Sequence, residues 1–482
     1  MTEAAVRALY AQGEEAVVAA FLELQQQVSV LGTRLAELEA RANKNSRNSH
    51  KPPSSDGYGK PPSPTRQQQN AAGRQTGGQP GHRGSRLEMA SQPDHTQPMW
   101  PEVCEKCGTG LASEGQREGQ VVARGQVFEL PPVRLEVTEY QVMEQVCPDC
   151  GGRCRGRLPE GVVPGTQYGS RMKAAMTYLQ VQQLLPLERA SELLEDLLGA
   201  AVSEATIADA LTTGATGLAP VLTQIKQGIV DSAVGHFDET GMRVAGRLQW
   251  LHTGSTEDLT YYTMDPKRGR AAHERIGILP VYRGTAVHDG LESYEGYACD
   301  HALCNAHHLR ELDAIAENPN QPWASDLAGL LRQAQHWKKH GKLTEARQAR
   351  TRKRYDALVK AGRHANLFDL AGFKARPSNG RVKRTPAQNL LVRLAEHKDD
   401  VLRFMSDPDV PFDNNLAERD LRMMKVKQKV SGCFRTEEGA RIFCAIRSYI
   451  STVRKQGIGV LEALTSVFDR SPILPQLPRP PG

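Results

Sequence analysis

The sequence predicts an α/β core that is interrupted by a helical insertion and preceded by a coiled coil, a disordered basic linker and a small zinc-ribbon-like domain. Two observations predict strands in the core: the apolar runs at residues 233–238 and 284–289 each end in an aspartate. Short apolar runs bounded by turn residues are typical of buried strands. A third acid, Glu418, opens a basic helix, and a long charged helical stretch separates it from the second aspartate.

The bulk composition limits the class of protein. A chain of 482 residues is long enough for roughly three domains. Its 39% hydrophobic and 5% aromatic residues indicate globular parts joined by polar linkers. No apolar stretch approaches the ~20 residues of a membrane span, and the N-terminus lacks a signal peptide. We therefore expect a cytoplasmic protein with no membrane partner, whose nine cysteines are thiols or metal ligands rather than disulfides.

Residues 1–42 show the apolar spacing of a leucine-zipper-like coiled coil. Apolar side chains alternate steps of four and three along Val17, Phe21, Leu24, Val28, Leu31, Leu35 and Leu38. Such an a/d seam predicts pairing of identical helices, and hence a homo-oligomer. The alternative is one amphipathic helix packed on its own domain.

Residues 43–100 have the composition of a disordered linker. This segment is rich in Pro, Gly, Ser, Gln and Asn, which do not bury enough apolar surface to offset the entropy of ordering. Between residues 43 and 86 there are eight Lys and Arg residues and one acid, Asp56. The segment is either a solvated linker or a basic arm that follows DNA phosphates, and the two roles are compatible.

Residues 101–157 contain two CxxC pairs that are typical of a zinc site. The pairs are Cys104/Cys107 and Cys147/Cys150. Strands are predicted at Gln126–Leu130 and Arg134–Val146 between them. Four thiolates presented by two turns are the usual ligand set of one structural Zn²⁺ ion, although the spacer is longer than in most zinc ribbons. The alternative, a redox CxxC, does not account for the duplication.

Helical periodicity dominates residues 158–230. An apolar face is formed by Leu184, Leu187, Leu193, Leu194, Leu197 and Leu198, and Ser203-Glu-Ala-Thr206 restarts a helix toward Leu211. This spacing has a weak similarity to a helix-turn-helix. We expect a helical packing domain, with a DNA-binding domain as the alternative.

Residues 231–317 are predicted to form the first part of the core. The expected elements are strands at Ala233–Asp238, Met242–Gly254, Leu259–Asp265, Gly284–Asp289 and His301–Cys304, a short helix at Ala271–Ile278 and a helix at Asn305–Glu317. Three antiparallel strands, a helix and a parallel strand are the opening of a ribonuclease H-like fold. In that order the first and fourth strands are neighbours, which would bring Asp238 and Asp289 together. Taken singly, each aspartate could equally be a turn cap.

Residues 318–410 are predicted to be a helical insertion, and residues 411–470 the second part of the core. The insertion has helices at Asp326–His340, Leu343–Gly362 and Thr385–Met405, with a basic break at Gly372–Arg384 that is either a solvated loop or a DNA-backbone contact. The sequence ends in a Pro-rich tail at residues 471–482.

The second part of the core opens with a helix at Leu416–Val430 that carries Glu418 in its first turn. Arg422, Lys425 and Lys429 form a stripe on this helix, which is either a salt-bridged face or a phosphate-contacting surface beside a metal-binding glutamate. Asp413 is the rival third ligand, but a cap role explains it more simply. Two carboxylates at strand ends and one on a helix can hold two Mg²⁺ ions about 4 Å apart, the arrangement used for in-line attack on a phosphodiester.

These blocks together resemble the IS66 family of insertion-sequence transposases. The similarity rests on the basic segment from Asn45 to Asp56, the paired CxxC motifs, Asp238-Glu-Thr, Asp289-Gly with Tyr294, Cys304-Asn-Ala-His307 with Arg310, Asp413-Asn-Asn-Leu-Ala-Glu-Arg419, and Gly432-Cys-Phe-Arg435 continuing to Arg441 and Tyr449. Many relatives have other residues at the positions of Val287 and His288, but this difference changes none of the three acids.

The resemblance implies a DDE transposase with Asp238, Asp289 and Glu418 as the catalytic, metal-binding triad. Such an enzyme uses two Mg²⁺ or Mn²⁺ ions for strand cleavage and strand transfer at the terminal inverted repeats and the target DNA. It also implies accessory proteins of the same element and a nucleoid-associated location. Candidate DNA-contacting residues are Arg419, Arg422, Lys425, Lys429 and Arg435.

Two further points stay open at the level of sequence. Cys304 and His307 match a CxxH motif found between the second and third acids of several DDE families, and we expect a packing or DNA-positioning role, with a second zinc site as the alternative. The function itself has two rivals. One is another ribonuclease H-like nuclease, such as a junction resolvase, and the other is a non-catalytic DNA-binding regulator.

Overall fold

The computed structural model describes residues 10–18, 20, 87–111, 119–131, 133–366 and 384–477. The chain divides into two compact units: one comprises Gly59–Thr138 and Leu197–Ala200, and the other Met1–Tyr58, Glu139–Asp196 and Ala201–Gly482. Most of the predicted coiled coil, the linker at 43–86, the basic break at 372–383 and the end of the tail at 478–482 lie outside the described residues. Among those described, no helix is long and apolar enough to cross a membrane.

A small hairpin surrounds the second CxxC pair. Strand β1 (Glu144–Val146) pairs antiparallel with β2 (Arg153–Arg155). The strand predicted at Gln126–Leu130 is absent, and only the last three residues of the strand predicted at Arg134–Val146 form one. Both segments have apolar side chains at alternating positions, but these side chains are exposed almost throughout. Alternation alone does not make a strand, because the ladder needs a partner and a buried face.

A five-stranded mixed sheet is the centre of the larger unit. Its strands are β3 (Val234–Val244), β4 (Arg247–Ser255), β5 (Thr260–Asp265), β6 (Thr285–His288) and β7 (Asp300–Leu303), in the order β5-β4-β3-β6-β7. Strands β3, β4 and β5 are antiparallel neighbours, and β6 and β7 continue the sheet in parallel with β3. The predicted pairing of the first and fourth core strands is confirmed. The mixed α/β architecture is compatible with a ribonuclease H-like core.

The first hairpin of this sheet differs from the prediction. We expected one strand to end at Asp238 and the next to begin at Met242, but β3 continues to Val244 and β4 starts only at Arg247. The chain reverses at Ala245 and Gly246, which have φ angles of 48° and 75°. Two consecutive residues in the left-handed region form the tight turn whose twist suits a hairpin. Ala-Gly is a weak turn signal, so the reversal was placed too early.

Helices surround the sheet. Their bounds are α1 Ser170–Thr177, α2 Leu187–Leu198, α3 Glu204–Gly217, α4 Ala219–Val230, α5 Arg270–Ile276, α6 Asn305–Ala316, α7 Pro322–Lys339, α8 Glu345–Ala365, α9 Pro386–Glu396, α10 Lys398–Ser406, α11 Asn415–Ser431, α12 Glu437–Lys455 and α13 Val460–Phe468. A π-helical turn, Tyr178–Gln182, continues α1. The single helix predicted at Thr385–Met405 is two helices, because His397 has φ −110° and ψ 32° and breaks the run.

Two hydrophobic clusters form the core of the larger unit. Helices α3, α4, α12 and α13 share the first cluster with strands β3, β4 and β5. Helices α7, α8, α9 and α10 share the second with β6 and β7. Ala286 belongs to the first cluster and its neighbour Val287 to the second. Since successive residues of a strand point to opposite faces, β6 connects the two clusters through the sheet. The part of the sheet that carries Asp238 and Asp289 is therefore supported on both faces.

Candidate active site

The register of the sheet places the first two predicted acids side by side. His236 of β3 pairs with Val287 of β6 in a parallel ladder. Asp238 lies two residues after His236 and is still within β3. Asp289 lies two residues after Val287 and directly follows the last residue of β6. Asp289 Oδ1 accepts a hydrogen bond from the Leu291 amide, 3.0 Å away, which fixes the turn after the strand. Backbone pairing alone thus brings these two carboxylates together.

Glu418 reaches the same place by a different route. It lies in the first turn of α11, as predicted. The start of this helix is tied to the sheet by Asn414, which is 1% exposed. Asn414 Nδ2 donates to the Phe237 carbonyl oxygen, Oδ1 lies 2.8 Å from His236 Nδ1, and the Asn414 amide donates to Cys304 Sγ. Asn414 is the N-cap residue of α11, but its side chain makes no cap hydrogen bond and instead anchors the helix beside Asp238.

The rival acid, Asp413, serves the turn before this helix. Its Oδ1 accepts a hydrogen bond from the Asn415 amide at 3.1 Å. This contact agrees with a local capping role, the simpler of the two interpretations of Asp413.

Asp238 is affected by the charges of the other acids. Burial raises the pKa of Asp238 well above its usual range, and the charges of Glu239, Asp289 and Glu418 raise it further. Glu418 Oε1 is buried and accepts no hydrogen bond from any residue that the structure describes. Carboxylates held close together without enough donors are the environment that Mg²⁺ or Mn²⁺ stabilises, since both metals prefer oxygen ligands. The donor set therefore fits a divalent cation.

Two arginines partly offset this negative charge. Arg310 Nη2 lies 3.5 Å from Glu418 Oε1, and His307 Nε2 lies 3.8 Å from the same oxygen. Arg268 Nη2 lies 4.0 Å from Asp289 Oδ2. The arginine from the CxxH block thus stands beside the helix-borne acid, and Arg268 beside a strand-borne one.

Arg268 was missed at the level of sequence. It follows β5 in the turn Asp265-Pro-Lys-Arg, where nothing local distinguishes it from a solvated basic residue. Its guanidinium stacks 4.9 Å from the centre of the Trp250 ring. Its Nε donates to Glu239 Oε1 at 2.7 Å.

Glu239 lies behind the triad rather than within it. It is 5% exposed and accepts hydrogen bonds from Arg268 and from the hydroxyl of Tyr294. The Tyr294 ring in turn stacks on His288, the last residue of β6. These contacts support the residues that flank Asp238 and Asp289. The network connects β3 to the turn that carries Asp289.

The CxxH motif meets Glu418. Donor atoms of Cys304, His307 and Glu418 all lie within 4.8 Å of one another. Burial raises the pKa of Cys304 to about 12. Its Sγ accepts a hydrogen bond from the Asn414 backbone amide, a contact that suits the expected packing role. Cys304 and His307 thus contact the two residues that set the position of α11, Asn414 and Glu418.

The basic candidates lie on one exposed stretch of chain. Arg419, Arg422, Lys429 and Arg435 are exposed, and Lys425 is half-buried. The ion pairs of Glu418 are with Arg310 and His307, across the interface with α6, rather than with the next turn of its own helix. Arg422 and Lys429 of the stripe face solvent.

The two CxxC turns share one backbone conformation. In the first, the Cys104 amide donates to the Thr109 carbonyl and Gly108 donates to the Cys104 carbonyl. In the second, the Cys147 amide donates to the Gly152 carbonyl, and the Gly151 amide donates to the Cys147 carbonyl. Gly108 and Gly151 have φ angles of 73° and 67°, which glycine adopts without strain. The turns lie in different units of the chain.

Thiolate formation is favoured in both turns. A hydrogen bond with the Thr109 side chain lowers the pKa of Cys107 to about 7. The Cys150 backbone amide lowers the pKa of Cys147. Lowered thiol pKa values are typical of metal-binding cysteines.

Comparison with known proteins identifies the family of this chain. The model of the transposase IS66 family matches residues 165–442, which span the sheet, the three acids and the helices between them. The chain belongs to the IS66 transposase family. A family of unknown function (DUF6444) matches residues 2–88 of this IS66 chain.

Two uncharacterised proteins from Sinorhizobium fredii are similar to this IS66 transposase. Protein y4hP is 23% identical over 414 residues, which cover 77% of this chain and 70% of y4hP. Protein y4jO is 33% identical over 107 residues, or 22% of this chain, and the match spans only 33% of y4jO. Membership of the IS66 family supports a transposase function in general, and with it DNA binding and the use of a divalent metal.

Proposed function

We propose that this chain is a DDE transposase in which Asp238, Asp289 and Glu418 together bind the two catalytic Mg²⁺ or Mn²⁺ ions. The observation that carries the proposal is the convergence of the three acids: the β3–β6 register aligns Asp238 with Asp289, and Glu418 is close enough to raise the pKa of Asp238. These residues are separated by 51 and then 129 positions of sequence, so their meeting is a property of the fold.

The residues around the triad have distinct roles in this proposal. When bound, the metal ions would activate water, and then a DNA 3′-hydroxyl, and would stabilise the charge that develops on the phosphate. Asp238 and Asp289 are held by strand backbone, and Asn414 holds the helix that carries Glu418. Cys304 and His307 position Asn414 and Glu418. The exposed cations Arg419, Arg422, Lys429 and Arg435, with Lys425, extend the site along a DNA backbone.

The remaining modules complete the proposed enzyme. We propose that Cys104, Cys107, Cys147 and Cys150 bind one structural Zn²⁺ ion per chain, on the basis of their spacing and the shared conformation of the two turns. The a/d seam in residues 1–42 supports self-association, and the basic segment at 43–100 supports contact with DNA phosphates. Ends of the element, target DNA and accessory proteins are the proposed partners.

Neutral substitutions of the triad test the proposal. Asp238→Asn, Asp289→Asn and Glu418→Gln should each abolish Mg²⁺-dependent cleavage of a duplex that carries the element's terminal repeat. DNA binding by the same variants, measured by fluorescence anisotropy, should stay within a few fold of the wild type. Cleavage at the wild-type rate by any of the three would remove that residue from the triad.

The zinc proposal has its own test. The wild-type chain should contain about one Zn²⁺ ion that is lost in the double variant Cys104→Ser, Cys147→Ser, as measured by elemental analysis. A purified wild-type chain with no bound zinc after expression in zinc-supplemented medium would contradict it.

A further inference from the structure

A second group of metal-ligand side chains lies apart from the triad. Glu239, His252 and His273 place one donor atom each within 4.8 Å of one another. All three are buried, with exposed fractions of 5%, 5% and 3%. Two imidazoles and a carboxylate are the donors that zinc and related dications prefer, whereas Mg²⁺ prefers oxygen alone.

The backbone holds these three donors together. Glu239 of β3 and His252 of β4 are directly paired across the antiparallel ladder, so their side chains leave the same face of the sheet. His273 comes from α5. Its ring centre lies 5.6 Å from that of His252, with the rings nearly perpendicular. Two imidazoles that share a zinc ion at Zn–N distances of about 2.0–2.1 Å have their centres roughly 5 Å apart.

His273 is the member of this group with the weakest hydrogen bonding. Neither ring nitrogen meets the distance and angle of a hydrogen bond within the part of the chain that the structure describes, and the Ser293 backbone is the polar group that interacts with the ring. The residue is only 3% exposed. Buried polar groups in folded proteins are rarely left in this state. A small cavity is lined by His252, His273 and Tyr294, and also by Asp238. A bound dication would satisfy one of the His273 ring nitrogens.

The other two donors are already oriented as ligands usually are. His252 Nε2 lies 3.0 Å from the Lys267 carbonyl oxygen, and with the proton on Nε2 this bond leaves Nδ1 to coordinate. A metal-bound histidine typically donates its second N–H to such a carbonyl. Glu239 is held by Arg268 and Tyr294. Glu239 and Asp289 share one cation, Arg268. A dication would therefore neutralise more of the negative charge of these two acids.

We propose that Glu239, His252 and His273 bind one Zn²⁺-class dication at a site that is separate from the triad and from the CxxC turns. The ion would join β3 and β4 to α5, and so support Arg268 and Tyr294 behind Asp238 and Asp289. Its role is structural, and the proposal stands whether or not the triad is catalytic.

Metal content tests this proposal once the cysteines are removed. In the full chain with Cys104→Ser and Cys147→Ser, Zn²⁺ retained after dialysis should fall by about one ion per chain on adding His273→Leu. Added Co²⁺ should give visible d–d bands in the parent that disappear with His273→Leu. The matched control is His364→Leu, an exposed histidine at the end of α8, which should change neither readout.

A thermal melt in EDTA separates loss of the site from loss of the fold. Because leucine removes two buried and weakly hydrogen-bonded nitrogens, His273→Leu should melt at or above the parent without metal and should lose the stabilisation that Zn²⁺ gives the parent. His252→Leu provides a second variant from a different element. Equal Zn²⁺ content and equal Co²⁺ spectra in parent, His273→Leu and His252→Leu would overturn the proposal.

Discussion

The two halves of the proposed triad are held in different ways. Asp238 and Asp289 lie on neighbouring parallel strands, and the hydrogen bonds of the β3–β6 ladder determine their separation. Glu418 lies on a helix that begins 129 residues after Asp289, beyond the whole helical insertion. Its position depends on one buried residue, Asn414, whose side chain bonds to Phe237 and His236 and whose backbone amide donates to Cys304 Sγ.

This difference indicates where the site is robust and where it is vulnerable. A ladder distributes the placement of two residues over several backbone bonds, so no single side chain decides it. The helix depends on a few side-chain contacts, and each of these leaves a buried polar group unpaired when it is removed. We therefore expect substitutions far from the chemistry to damage the Glu418 side more than the strand side.

The largest effect is expected for Asn414→Ala. It should lower the cleavage rate by on the order of 100-fold, since a shift of about 1 Å in a catalytic group has such a cost. It should also lower the free energy of unfolding by about 1–3 kcal/mol, because His236 and the Phe237 carbonyl lose their partner. Cleavage assays and chemical denaturation measure the two effects. Asn389→Ala, at an exposed position of α9, is the control and should change neither. Wild-type cleavage by Asn414→Ala would show that Asn414 does not position Glu418.

Asp238→Asn should stabilise the metal-free chain while it abolishes cleavage. The pKa of Asp238 is raised in the folded state, so the ionised carboxylate destabilises the fold at pH values above that raised pKa. Removing the charge should increase the free energy of unfolding by on the order of 1 kcal/mol per unit of pKa shift. Protonation removes the same penalty from the wild type, so the difference between the two proteins should shrink as the pH falls toward 3.8, the ordinary value for aspartate.

Denaturation of both proteins in EDTA at several pH values checks this prediction. A variant that is less stable than the wild type at neutral pH would mean that the ionised Asp238 carboxylate does not destabilise the fold.

A smaller effect is expected for Arg310→Ala. Arg310 neutralises Glu418 in the absence of metal, so its loss should tighten Mn²⁺ binding, as measured by calorimetry. A half-exposed ion pair contributes at most about 1 kcal/mol, which corresponds to roughly fivefold in affinity. Arg332→Ala on the insertion, which breaks an exposed ion pair with Asp313 of α6, should leave Mn²⁺ affinity unchanged. Weaker Mn²⁺ binding by Arg310→Ala would instead indicate that Arg310 supports the metal site.

The smallest effect is expected at the exposed cations. Arg422→Ala or Lys429→Ala should weaken DNA binding about equally for all sequences and should reduce the slope of log affinity against log salt by about 1. Titrations at several salt concentrations give this slope. An unchanged slope for both variants would place the DNA elsewhere on the surface.

The sequence predicts the strand-borne half of the site better than the helix-borne half. The runs ending at Asp238 and Asp289 could be identified because a buried strand has a local signature and neighbouring strands follow from element order. The position of the first hairpin was wrong, because Ala245 and Gly246 are a weak turn signal. Glu418 could be assigned to the first turn of a helix, but its direction depends on Asn414, whose side-chain partners are far away in sequence.

Contacts of this kind have no local signal. Arg268 lies in an ordinary polar turn, and His252 and His273 meet only after β4 and α5 pack together. Near the CxxC pairs a local signal was present but misleading. Alternating apolar residues predicted strands there, but the side chains are exposed and most of the predicted residues form no strand.

A change of metal preference tests the central claim most directly. If Asp289 binds the catalytic metal, Asp289→Cys should be inactive with Mg²⁺, which binds sulfur poorly, and should recover strand cleavage with the more thiophilic Mn²⁺. Asp289→Ser should be inactive with both ions. Wild-type cleavage by Asp289→Ser in Mg²⁺, or the same ratio of Mn²⁺ to Mg²⁺ activity in Asp289→Cys as in the wild type, would contradict the account.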